Sequence, residues 1–120
     1  MEDVVKIASY ICARYQQEFG QRIDEMKLHK LLYLVQREAI IQRGNPMFSA
    51  QFEAWKYSPV LKVIHQRYRD DALHDTLSED AVKDFLPIFD RVFETYAKKS
   101  SWSLSTLTHG EYSWKKAREG

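Results

Sequence analysis

The residue types that could do covalent or metal chemistry are few in this chain and poorly spaced for it. The four histidines, His29, His65, His74 and His109, include no pair at the i, i+4 spacing that presents two imidazoles on one helix face. The lone Cys12 leaves no Cys-x-x-Cys knuckle, so spacing predicts no metal centre. His29 falls off the apolar stripe of its helix, beside Glu25 and Tyr33, and reads as an exposed or hydrogen-bonded histidine. Cys12 sits among Ala8, Tyr15 and Phe19 on an apolar stripe, where a thiol ionises poorly and makes a weak nucleophile. The glycines at positions 20, 44, 110 and 120 are too dispersed for a phosphate-cradling loop or a Gly-x-Ser-x-Gly elbow. No two carboxylates are paired in sequence for acid–base work. These absences predict a protein without catalytic residues or a cofactor.

What the side chains do offer is binding. Trp55, Tyr57, Trp102, Tyr112 and Trp114 fall in short or irregular segments rather than in the long helical patterns. Rigid amphipathic rings of this kind anchor protein interfaces, although each could equally plug one end of a small core. At least one is expected to be substantially exposed. Segment 56–69 holds Lys56, Lys62, Arg67 and Arg69 with no acidic residue, interleaved with Tyr57 and Tyr68. That mixture makes a nucleic-acid-binding or regulatory module the alternative reading, since cations meet phosphates and rings stack on bases. The patch is small and Asp70-Asp71 follows at once, so a solvated helix face is the plainer account.

The elements that must position these residues are mostly helical. Apolar residues at Val4, Val5, Ala8, Ile11, Cys12, Tyr15 and Phe19 recur at helical steps, and Gly20 marks a left-handed stop. Asp24 is placed to cap the next helix, with Ile23 and Leu28 spaced as a hydrophobic staple. That helix carries Leu28, Leu31, Leu32, Val35 and Ala39 on one face, ends near Gly44-Asn45-Pro46, and has the length of a central rod. Segment 47–57 changes to an irregular aromatic pattern that predicts a small hairpin or extended strap. Ser58-Pro59 reads as a helix opening, with Val60, Ile64 and Tyr68 as the buried side. After a polar connection over 70–77, Ser78-Glu79-Asp80 starts a helix whose core face is Val82, Phe85, Leu86, Phe89, Val92, Phe93 and Tyr96. Pro87 is expected to bend or split it. Segments 101–108 and 111–118 complete the pattern as two short helices. The expected fold is mainly α: a single domain over 1–120, a compact bundle of about five or six helices with a small extended strap or hairpin.

Composition agrees with a self-sufficient domain. A chain of 120 residues buries roughly two thirds of its unfolded surface, enough to fold without a disulfide. Eighteen Lys and Arg against seventeen Asp and Glu leave a formal charge of +1, so no global field steers nucleic acid or anionic lipid toward it. No apolar run approaches the roughly 20 residues that cross a bilayer, and no basic leader with an apolar run opens the chain. With one cysteine, a reducing cytoplasm is the expected location.

Three spaced signatures carry a family resemblance: Lys27-Leu28-x-Lys30-Leu31-Leu32-Tyr33, then Glu53-Ala54-Trp55 followed by Pro59-Val60, then Leu107-Thr108-His109 with Trp114 downstream. Together they resemble the Panacea domain, the SocA-like and GepA-type antitoxin family. Ser58 stands where the family pattern has glycine, and the chain stops soon after Arg118, where relatives often continue into another helix. The resemblance implies a bacterial or prophage antitoxin that neutralises a cognate protein toxin by direct contact. Some members look like adaptors that deliver the toxin to an ATP-dependent protease, and many carry an extra DNA-binding segment that this chain has no room for. The partner-binding residues expected on this basis are Trp55, Lys56, Tyr57, Ser58 and Pro59 of the strap, with Thr108, His109 and Trp114 of the terminal segment.

Overall fold

A computed structural model of the 120-residue chain describes residues 2–49, 53–54 and 59–99, with backbone alone for 53–54 and 59–60. The first helix, α1 (Val4–Phe19), is capped by Asp3, whose side chain accepts the Val5 N–H at 2.8 Å. It stops at Gly20, which takes φ 73°, a left-handed value that a side chain would strain. The second, α2 (Glu25–Arg43), begins as its sequence predicts: the Asp24 carboxylate accepts the Lys27 N–H at 2.8 Å, and both staple residues, Ile23 and Leu28, are fully buried. It ends at Gly44, again left-handed.

The helix α2 is the axis of the domain. It packs against α1, against β2 (Pro59–Val60), against α3 (Lys62–Arg69) and against α4 (Glu79–Val92) with the π-helical turn Phe93–Ala97 that continues it. Surrounded in this way, its first half buries more than one stripe: beside Leu28, Leu31, Leu32, Val35 and Ala39, the structure also encloses Lys27, His29, Lys30, Tyr33 and Leu34. The apolar residues join Ile7, Ile11, Phe48, Ile64, Phe89, Val92 and Phe93 in one core. Among the described residues, then, the fold is mainly helical, with four α-helices and a two-stranded extended element. The two short helices expected at 101–108 and 111–118 lie outside the described residues.

The strap has a clear construction. Met47 and Phe48 are buried, and the Gln36 side chain grips their backbone as a neighbouring strand would. Its Oε1 accepts from the N–H groups of Met47 at 2.8 Å and Phe48 at 3.2 Å, while its Nε2 donates to the Phe48 carbonyl at 2.7 Å. On the other side the Glu2 N–H donates to the Met47 carbonyl at 2.9 Å. The strands β1 (Glu53–Ala54) and β2 then pair antiparallel, with Glu53 opposite Val60 and Ala54 opposite Pro59.

Three expectations are corrected here. Pro59 opens no helix: it sits in β2, and α3 starts three residues later at Lys62 after Leu61, whose burial pins the junction. The pairing with Ala54 takes precedence over the capping signal of a Ser-Pro pair. Pro87 does not split its helix, because α4 runs unbroken from Glu79 to Val92 with the proline on the exposed side. Leu86 belongs outside, 39% exposed, and Ile88 takes its place in the core. The end of α3 supplies a feature that the reading of 70–77 as a polar connection missed. Asp71 adopts φ 53°, with its N–H on the Tyr68 carbonyl and the Ala72 N–H on the Arg67 carbonyl, a Schellman closure built without glycine.

Candidate functional site

Of the predicted partner-binding residues, Trp55, Lys56, Tyr57, Ser58, Thr108, His109 and Trp114 lie outside the described residues. Pro59 is described in its backbone, as the first residue of β2. The surroundings of the hairpin are therefore where the site can be built. Upstream, the Gln36 clamp fixes the strap to the middle of α2. Downstream, β2 leads through buried Leu61 into α3, and the first turn of α3 is held to the start of α2 by a polar node.

That node consists of Glu25, His29 and His65. Glu25 and His29 are one turn apart on the same face of α2, and His65 reaches them from α3. One carboxylate oxygen, Glu25 Oε2, lies 3.0 Å from His29 Nε2 and 2.5 Å from His65 Nδ1. His29 is 2% exposed, so of the two readings open for it the hydrogen-bonded one holds. Burial pushes the Glu25 carboxyl up, but the hydrogen bonds from His65 and His29 outweigh it and hold the group below the usual range. Burial in turn lowers the His29 imidazole. These shifts favour an ionised glutamate beside a neutral His29 ring at neutral pH. The spacing search could not find it, because the third member comes from a different helix.

The two lysines of the opening signature are both buried, and their environments differ. The Lys27 ammonium donates to the Ala97 carbonyl at 3.0 Å and approaches the Tyr15 hydroxyl at 3.4 Å, so it neutralises the negative end of the α4–π rod. Lys30 is fully buried, and its Nζ has no hydrogen-bond partner among the described residues. Burial pushes its ammonium down to about 8.

A cleft of about 540 Å³ lies between α1 and segment 71–76. Cys12, Ser9, Arg22, Tyr68 and His74 line it. It has no activated nucleophile: burial pushes the Cys12 thiol up to about 11, and the Ser9 hydroxyl donates to the Val5 carbonyl and accepts from the Asp75 N–H. Arg22 is occupied by the Tyr68 ring and the Tyr68 carbonyl. No helix among the described residues is long and apolar enough to cross a membrane.

The described residues make a mainly α class of domain, with a two-stranded hairpin packed on its central helix. The sequence comparisons give that class its family: the model of the SocA-like antitoxin Panacea domain matches residues 28–115, and the chain belongs to that family. The curated Antitoxin SocA of Caulobacter vibrioides (strain NA1000 / CB15N) is 25% identical over 103 residues, covering 72% of this chain and 55% of that protein. The chain thus spans about half the length of that relative. Comparison with solved structures gave no match.

Proposed function

We propose that the protein is a non-enzymatic antitoxin that masks a cognate protein toxin by direct contact, with residues 55–59 of the hairpin and Thr108, His109 and Trp114 of the terminal segment as the contact residues. The observation that carries this reading is the family match over 28–115, which takes in the hairpin and the terminal signature together. The geometry supports it: a two-stranded hairpin anchored through Gln36, Leu61 and the Glu25–His65 pair offers a supported surface to a folded partner. Delivery of the bound toxin to an ATP-dependent protease, in the cytoplasm, belongs to the same proposal.

Co-expression with the toxin encoded next to this gene is the test. Growth should be rescued and a complex should co-purify. Trp55→Ala or Trp114→Ala should weaken that complex with helicity unchanged. Failure of rescue together with absence of a complex refutes the reading.

A further inference from the structure

We propose that Glu25, His29 and His65 form a binding site for one divalent transition-metal ion of the zinc class, clasping α3 to α2. Among the described residues they are a group in which three potential ligand atoms converge, one from each side chain, all within 4.8 Å of one another. The donor set is two imidazole nitrogens and one carboxylate oxygen, a borderline combination that suits zinc and the metals near it and suits calcium or magnesium poorly. All three side chains rise from helical backbone, two of them one turn apart on α2, so the ligands are already gathered.

The distances fit after side-chain adjustment, with the helices in place. Metal–ligand bonds of about 2.0–2.1 Å in a tetrahedron put donor atoms roughly 3.3 Å apart. The His29–Glu25 separation is 3.0 Å, the His65–Glu25 separation 2.5 Å and no donor pair exceeds 4.8 Å, so admitting an ion requires the Glu25 carboxylate to withdraw by less than about an ångström and the two rings to close by at most about 1.5 Å. Glu25 and His65 are each about a quarter exposed, at 26% and 29% of their side chains, and this open side leaves room for water as a fourth ligand. The ion takes the place of the hydrogens now shared with Oε2. Each ring must keep its one proton on its other nitrogen, and for His29 that nitrogen, Nδ1, is buried with no acceptor among the described residues. A ligating histidine lacking that outer hydrogen bond binds metal roughly 10–100-fold more weakly than one that has it, so the site is of moderate affinity.

The clasp lies immediately beyond β2, so an ion there would fix the segment that follows the hairpin. This proposal stands independently of the antitoxin reading, and its test needs no partner. The untagged full chain, stripped with chelator, is titrated with Zn²⁺ alone by calorimetry and with Co²⁺ alone by visible absorption. One ion per chain and a four-coordinate Co²⁺ spectrum are expected. Glu25→Gln and His65→Gln keep hydrogen-bonding capacity and should each weaken binding roughly tenfold or more, while His74→Gln leaves it unchanged. Because a variant could fail to fold, ¹⁵N shifts of the histidine rings are read on the unaltered protein: they should move at His29 and His65. Absence of saturable binding, affinity unaltered in both glutamine variants, or ring shifts confined to His74 and His109 overturns the proposal.

Discussion

Replacing Lys30 with methionine should stabilise this domain at neutral pH and lose that advantage in alkali. The side chain is fully enclosed, its ammonium has no hydrogen-bond partner among the described residues, and burial holds it at about 8 against an ordinary 10.5. At about 1.4 kcal/mol per pH unit, that difference means the charged form opposes folding by roughly 3 kcal/mol at pH 7. Methionine keeps a stem of similar volume and brings no charge, so Lys30→Met should gain much of that amount, on the order of 10 °C in melting temperature for a chain this long. The sign with pH follows from proton counts. Between about 8 and 10.5 the unfolded lysine holds a proton that the folded one has released, so the stability of the unaltered protein rises with pH while that of the variant does not. Urea unfolding of both proteins, followed by circular dichroism at pH 7 and pH 10 in metal-free buffer, reads the difference directly, and contributions from other titrating groups cancel. A variant less stable at pH 7, or a gain that does not shrink by pH 10, would refute the reasoning, because either result means that the ammonium is satisfied where it sits.

Three further outcomes are expected. Gln36→Leu removes the acceptor of the Met47 and Phe48 N–H groups and the donor to the Phe48 carbonyl, and should cost roughly 3 kcal/mol, with amide exchange at 47 and 48 accelerated well beyond that of the helix cores. Asp71→Gly relieves a left-handed backbone at the end of α3 and should raise stability by about 1 kcal/mol in thermal melts, since the contacts it gives up with Arg22 at 3.6 Å and His74 at 3.4 Å are both exposed. The Cys12 thiol, raised from 9.0 to about 11, should alkylate far more slowly at pH 8 than a free cysteine does. Because folding favours its protonated form, it should also subtract from stability as pH rises from 9 to 11, an effect absent in Cys12→Ala.

Much of the helical framework was legible because its signals are local. Gly20, Asp24, Gly44 and Ser78 act within one turn of themselves, and the structure uses each of them at a helix end. Residue positions that depend on distant neighbours were not legible. Leu86 and Ile88 both sit near the edge of an apolar stripe, and only the approach of other elements decides which one turns inward. The start of α3 was misplaced because pairing with Ala54 decides the fate of Pro59, and Ala54 lies across a turn. Likewise the node at Glu25 joins residues 40 positions apart, so neither half announces the other. The buried lysines were hidden for a different reason: lysine is read as surface by default, and nothing within one helix reveals that other elements enclose it.

Those lysines decide how the family signatures divide the work. Lys27 supplies a cation to the carbonyl end of the α4–π rod, while Leu28, Leu31 and Leu32 fill the core and Tyr33 closes over it. The opening signature is therefore a folding signature, and substitutions in it should act on any partner only through stability. At the base of the hairpin, by contrast, the described contacts are the Gln36 clamp on Met47 and Phe48 on one side, and buried Leu61 with the Glu25–His65 pair on the other. The antitoxin proposal places recognition in residues 55–58 between the two strands and predicts that substitutions there alter partner binding with the core unchanged. It follows that truncating Leu28, Leu31 or Leu32 should lower the melting temperature and binding of the proposed toxin together, whereas a substitution at Trp55 or Tyr57 should separate the two.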